Sequence, residues 1–166
     1  MLSSEWVSND CIQLYSDSAG NASLGCGVYF QGKWAFLKWP IEWADSEILH
    51  DITFLELVPI FLAIFLWKHE FIGLRIRFNC DNQSVVHILN SKTSRSKRVM
   101  TLIRKIVLFS LRYDFHINGL FIAGTSNKIA DSISRMQWAT FRQNAPEADL
   151  SPTRIPQEFW QFLPAK

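Results

Sequence analysis

The chain has 166 residues, a formal net charge of +2 and 48% hydrophobic residues, with seven tryptophans and thirteen phenylalanines. That is enough apolar material for one domain with a substantial core, and it excludes an intrinsically disordered body. The charge is too small to mark a nucleic-acid binder, yet Lys92, Arg95, Lys97, Arg98, Arg104 and Lys105 crowd into fourteen residues. Either these form a solvated helix face or they meet a phosphate backbone. Cys11, Cys26 and Cys80 are odd in number and widely spaced, with no C-x-x-C. They argue against a disulfide framework and structural zinc, and for a reducing compartment. His50, His69, His87 and His116 show no metal-ligand pairing. No signal peptide is evident at Met1, and the most apolar stretch, residues 54–67, is short and interrupted by Glu56 and Pro59. It is too short to span a bilayer. The expectation is an intracellular protein, cytoplasmic or nuclear, that is neither secreted nor membrane-bound.

In chain order, residues 12–17 (IQLYSD) alternate as a strand, and SAGNASLG after them is turn chemistry. Residues 25–31 and 33–39 are rich in β-formers around Gly32 and predict a hairpin. Residues 53–69 predict a long buried helix, with Thr53 and Glu56 as a capping box. Pro59 lies beyond the first turn, so the helix is kinked there or starts later. Residues 74–80 (LRIRFNC) predict a strand ending at Asp81, and residues 82–90 and 95–112 two amphipathic helices. Residues 115–123 predict the last strand, and Asn127 opens and caps a helix carrying Asp131. The order βββ-α-β-α-α-β-α predicts an α/β fold. From Gln143 the chain changes character: Pro146, Pro152 and Pro156 suggest an extended linker, and IPQEFWQFL one more turn docked on the body. The expected organisation is a domain over residues 1–142 and a proline-containing tail over 143–166.

Four acids stand in telling contexts: Asp17 in LYSDSAG, Glu56 in TFLELVPI, Asp81 in RFNCDNQSVV and Asp131 in NKIADSISR. Each has an ordinary reading alone. Asp17 suits a turn, Glu56 a capping box, Asp81 a helix N-cap and Asp131 a solvated helix surface. Together, two acids at strand ends and two early in helices can meet at one edge of a mostly parallel sheet. Carboxylates gathered at one point repel and call for a cation, and hard Mg²⁺ takes oxygen ligands. Such a site can perform two-metal phosphodiester hydrolysis.

These motifs, in this order, resemble the type 1 ribonuclease H domain. YSDSAGNASLGCGVYFQGKW, FLELVPI, CDNQSVVHILNSKTSR and AGTSNKIADSISRMQWATFRQNAPEAD are similar to the ribonuclease H domain of reverse transcriptases from DIRS-like retrotransposons, which carry a tyrosine recombinase. The resemblance spans roughly residues 12–152. It implies a ribonuclease H-like fold, with a five-stranded mixed sheet (three antiparallel strands plus two parallel) and helices on both faces. It also implies an endoribonuclease that cuts the RNA strand of RNA–DNA hybrids with two Mg²⁺ ions, Mn²⁺ substituting. By the same resemblance Asp17 bridges both ions, Glu56 and Asp81 complete the leaving-group site, and Asp131 completes the site that activates water. The family uses the position of Gln83 to touch the hybrid in its minor groove, Asn82 beside it and the basic residues Lys92, Arg95, Lys97 and Arg98 are further candidate nucleic-acid contacts, and a reverse-transcriptase polymerase domain becomes the expected partner. Phe121 stands where such enzymes often carry a loop histidine, ten residues before Asp131. That departure raises the alternative of a weakly active or inactive nucleic-acid-binding or scaffold domain. A 3′–5′ exonuclease of related fold would want Asp-x-Glu on the first strand, where this chain has Asp17, Ser18 and Ala19.

Overall fold

The computed structural model describes residues 11–164. Five strands form one sheet: β1 (Cys11–Ser18), β2 (Gly25–Phe30), β3 (Lys33–Lys38), β4 (Arg75–Cys80) and β5 (His116–Phe121), in spatial order β3-β2-β1-β4-β5. The first three are antiparallel neighbours, while β1–β4 and β4–β5 are parallel. The β2–β3 hairpin turns on Gln31 and Gly32, both at positive φ (49° and 86°). A two-residue turn of that hand matches the natural strand twist, and the glycine adopts it without a Cβ clash.

Among the described residues five α-helices accompany the sheet: α1 (Ile52–Trp67), α2 (Gln83–Ser91), α3 (Lys97–Arg112), α4 (Lys128–Ser134) and α5 (Trp138–Asn144). Strand alternation splits the core in two. Leu14, Cys26, Val28 and Leu37 face α1 and α3 in the larger cluster. Tyr15, Tyr29 and Trp34 face the opposite way, where Ile133 of α4 and Phe141 of α5 cover them. The helix α1 is apolar on nearly every side and is buried almost throughout, as that composition demands. Among the described residues no helix is long and apolar enough to cross a membrane.

The start of α1 differs from the capping box expected at Thr53. Asp51 caps the helix, its Oδ1 accepting from the Phe54 N–H at 3.0 Å, while its Oδ2 pairs with Arg98 at 2.9 Å. One short side chain thus caps α1 and ties it to α3. Pro59 neither starts nor ends the helix, which runs through it. Proline lacks the N–H that would reach the Leu55 carbonyl. The Ser18 hydroxyl donates to that carbonyl instead, at 2.6 Å.

The stretch expected to be a linker is held to the body. The Asp149 and Thr153 amides donate to the Gly32 and Trp34 carbonyls. Arg142 binds the carbonyls of Ala148, Asp149 and Leu150. The final 3-10 turn, Gln157–Phe162, does dock: Phe159 is fully buried in the main core against Phe61 and Phe65. Prolines here shape a surface strap instead of freeing it, because its backbone groups find partners on β3, the β2–β3 turn and Arg142.

Candidate active site

Strands β1 and β4 are central, parallel neighbours, so their C-terminal ends open on one edge, where open α/β sheets place their ligand sites. Tyr15 pairs with Asn79, which brings Asp17 level with Asp81 two residues on. Glu56 arrives from α1 on one face, and Asp131 from α4 on the other. Gly27, directly opposite Asp17 on β2, allows the second approach. A Cβ there would sit 2.5 Å from Ile133 Cγ2 and 3.0 Å from the Ser134 nitrogen. Only a bare backbone lets α4 lie this close to the sheet.

Asp17 and Glu56 are buried, at 4% and 7% exposure, and Asp81 and Asp131 are partly exposed. Burial pushes Glu56 up to about 9, reinforced by the negative charges of Asp17 and Asp81. Burial likewise raises Asp17 to about 7, with Asp81 and Asp131 adding to the rise and a hydrogen bond from Ser134 opposing it. The two buried acids therefore both sense Asp81 and Asp131. Glu56 Oε2 is buried with no hydrogen-bond partner among the described residues. Ligand atoms of Glu56, Cys80 and Asp81 lie within 4.8 Å of one another. Burial drives the Cys80 thiol up to about 12, which leaves it neutral and the donor set essentially oxygen. A buried, unsatisfied carboxylate oxygen among other carboxylates fits a hard divalent cation such as Mg²⁺ or Mn²⁺.

The expected helix caps fall elsewhere. Asn82, not Asp81, caps α2, its side chain accepting from the Val85 amide at 3.0 Å. That leaves Asp81 free for other work. Asn127 sits at the N-cap position of α4 but makes no capping bond with its side chain. Its Nδ2 instead donates to the Ser16 carbonyl on β1 at 2.9 Å, anchoring α4 to the strand that carries Asp17. Asp131 Oδ1 pairs with Arg135 at 2.9 Å. The loop ahead of α4 passes close to Asp81, for a Cβ on Gly124 would lie 3.3 Å from Asp81 Oδ2.

The basic run divides. Arg95 and Lys97 are exposed, whereas Arg98 is paired with Asp51. Lys92 folds its ammonium back on the Leu89 and Ile117 carbonyls at 3.1 and 3.5 Å. Gln83 is exposed in the first turn of α2, next to Asp81. Phe121 ends β5 opposite Cys80 and is 45% exposed, so it is not a core residue. Sequence reasoning missed Ser18 and Ser134. The Ser134 hydroxyl, fully buried, lies 2.8 Å from Asp17 Oδ2 and 2.9 Å from the Asp131 carbonyl. The available signal was Ser134 one helical turn after Asp131.

No protein-family model and no curated protein sequence matches the chain. Solved structures do. LC11-RNase H1 in complex with an RNA/DNA hybrid aligns with a TM-score of 0.51 at 11% identity, over 74% of this chain and 92% of that one. RNase H1 from the halophilic archaeon Halobacterium salinarum NRC-1 aligns with a TM-score of 0.51 at 13% identity, over 81% and 99%. With the strand order and the helices on both faces, these likenesses establish that the chain has the ribonuclease H-like fold.

Proposed function

We propose that this chain is a metal-dependent endoribonuclease that cuts the RNA strand of RNA–DNA hybrids, as the ribonuclease H domain of a retrotransposon reverse transcriptase. The observation that carries this reading is the gathering of Asp17 of β1, Glu56 of α1, Asp81 just past the end of β4 and Asp131 of α4 at the β1–β4 edge, close enough that the charges of Asp81 and Asp131 bear on both buried acids. Nothing in the packing of a core calls for buried, mutually repelling carboxylates, and their burial is costly unless they serve a charge. The four acids would hold a pair of divalent cations. Such a pair, once bound, neutralises charge on the scissile phosphate and lowers the pKa of the attacking water.

The chain's own groups fix where that chemistry happens. Ser134 orients Asp17, Asn127 anchors the helix carrying Asp131, and Asn82 leaves Asp81 uncommitted. Gln83, exposed beside Asp81, is placed to meet a base edge or ribose of a duplex with an accessible minor groove. Like Arg104, Arg95 and Lys97 are exposed cations of the basic run, and these two would meet phosphates. Neutralising both should weaken hybrid binding and reduce the slope of log affinity against log salt by roughly 0.7–0.9 for each phosphate that is no longer neutralised. An unchanged slope would make this run a solvated face. The retrotransposon context rests on the resemblance of the sequence motifs.

The deciding experiment offers labelled RNA–DNA hybrid, double-stranded RNA and double-stranded DNA, each with Mg²⁺, Mn²⁺ or a chelator. Cleavage confined to the RNA strand of the hybrid, and only with metal, is the expected outcome. Binding of hybrid without cleavage under any of these conditions would leave a scaffold module, for which Phe121 in the loop-histidine position is the motive.

A further inference from the structure

We propose that Ser18 and Ser134 are positioning residues, two hydroxyl clamps that tie the end of β1 to α1 on one sheet face and to α4 on the other. Between them they hold the acids together before a cation arrives. The inference rests on the hydrolase reading of the site and adds to it a means of assembly.

Asp17 and Glu56 are buried with like charges around them. When the acids ionise to take a cation, their repulsion works to spread β1, α1 and α4 at this edge. Ser18 directly follows Asp17, and its hydroxyl donates at 2.6 Å to the carbonyl of Leu55, directly before Glu56. The bond therefore spans the two buried acids at their own backbones. It is possible because Pro59 removes the amide that a helix would ordinarily offer to Leu55. The proline would otherwise leave a buried carbonyl short of a donor, and the strand supplies one.

Ser134 acts on the other face. Its hydroxyl has one proton and two acceptors in reach, Asp17 Oδ2 and the Asp131 carbonyl. Once ionised, the carboxylate is the stronger acceptor. Each carboxylate oxygen carries two lone pairs, so this bond fixes the orientation of Asp17 without using up its capacity as a ligand. Because Ser134 lies one turn from Asp131 on α4, the bond also sets the distance of that helix from β1.

The test measures Mn²⁺ binding to the whole chain by calorimetry, without nucleic acid, alongside melting temperature in chelator and Mg²⁺ titrations of hybrid cleavage. Ser134→Ala should weaken Mn²⁺ about tenfold and Ser18→Ala about threefold, in keeping with hydrogen bonds to charged and neutral acceptors. The Mg²⁺ requirement for cleavage should rise in step, with the Michaelis constant for hybrid unchanged. Ser18→Thr, which keeps the hydroxyl, should behave as the parent. If Ser134→Ala fails to fold, Ser134→Cys, nearly the same size and a weak donor, takes its place. Pro59→Ala separates positioning from mere satisfaction of a carbonyl. It returns an amide to Leu55, so in Ser18→Ala/Pro59→Ala the melting temperature should recover while Mn²⁺ affinity stays low. Recovery of both, or wild-type Mn²⁺ affinity in either serine variant, would overturn the clamp for that residue. A parent protein that binds Mn²⁺ yet cuts no hybrid would remove the hydrolase and leave the clamps; one that binds no Mn²⁺ would remove both.

Discussion

At the scale of single residues, the site separates groups that share a chemical type. Asp81 and Asp51 are both acids at the edge of a helix, yet Asp51 is spent on an amide and an arginine, while Asn82 relieves Asp81 of the capping task. Asp81→Asn should therefore abolish hybrid cleavage while leaving folding stability within about 0.5 kcal/mol of the parent, as for a substitution that breaks no structural partner. The amide keeps the shape of the carboxylate but is a poor ligand for a hard cation. Retained cleavage would remove Asp81 from the site, and loss of folding would restore it to a structural role. Phe121 poses the converse case. It is half exposed at the end of β5, opposite Cys80, so replacing it costs little packing. Phe121→His would place an imidazole, which titrates near neutral pH, at the rim of the site. Turnover should rise while hybrid affinity holds. A folded, hybrid-binding variant no faster than the parent would show that Phe121 does not mark a missing proton carrier.

At the scale of elements, the acids meet because helices approach the sheet at fixed heights, and glycine sets one of those heights. Gly27→Ala would press a methyl into Ile133 and the backbone of Ser134. Overpacking of this kind typically costs about 1–3 kcal/mol. Here it should also lift α4 and with it Asp131, so cleavage should fall further than stability alone explains, measured at a temperature where the variant remains folded. A loss of stability with full cleavage would mean that α4 adjusts without moving its acid. Alternation and helical periodicity make the strands, their order and four of the helices legible in the sequence, with ends displaced by a residue or two. The four acids are legible through the short contexts around them. The caps are not: Asp51, Asn82 and Thr53 are all good capping residues, and the choice among them depends on where Arg98 and the strand ends lie. The stretch from Gln143 to Pro156 reads as a linker, although its first two residues end α5, because prolines signal a break in regular structure but not whether the broken segment has a surface to lie on. Trp34, which accepts the strap through its backbone and donates its indole N–H to the Asp149 carbonyl, comes from a distant part of the chain. The Ser18–Leu55 bond is hidden for the same reason: it depends on a meeting of β1 and α1 that no local pattern encodes.

At the scale of the whole molecule, the acidic site opposes the fold that builds it. Glu56 goes from 4.5 to about 9 and Asp17 from 3.8 to about 7 on folding, in each case chiefly through burial. Raised carboxyl pKa values mean that the native state holds protons which the unfolded chain has already released. Below about pH 4 both states are protonated and the contribution is fully present; between there and about pH 9 the unfolded state binds fewer protons, so stability falls as pH rises. In chelator the melting temperature should accordingly decline from pH 5 to pH 9. Glu56→Gln, which removes the group with the larger rise, should flatten that decline. Divalent cations bind the charged carboxylates, so Mg²⁺ should raise the melting temperature by more at pH 8 than at pH 5, where protons compete for the same oxygens. The dependence on cation concentration should follow ordinary mass action and persist without nucleic acid. A melting temperature in chelator that holds steady or rises over this range would mean that Glu56 and Asp17 are not held apart from solvent. In that case the burial that makes this edge of the sheet a candidate active site would no longer support the assignment.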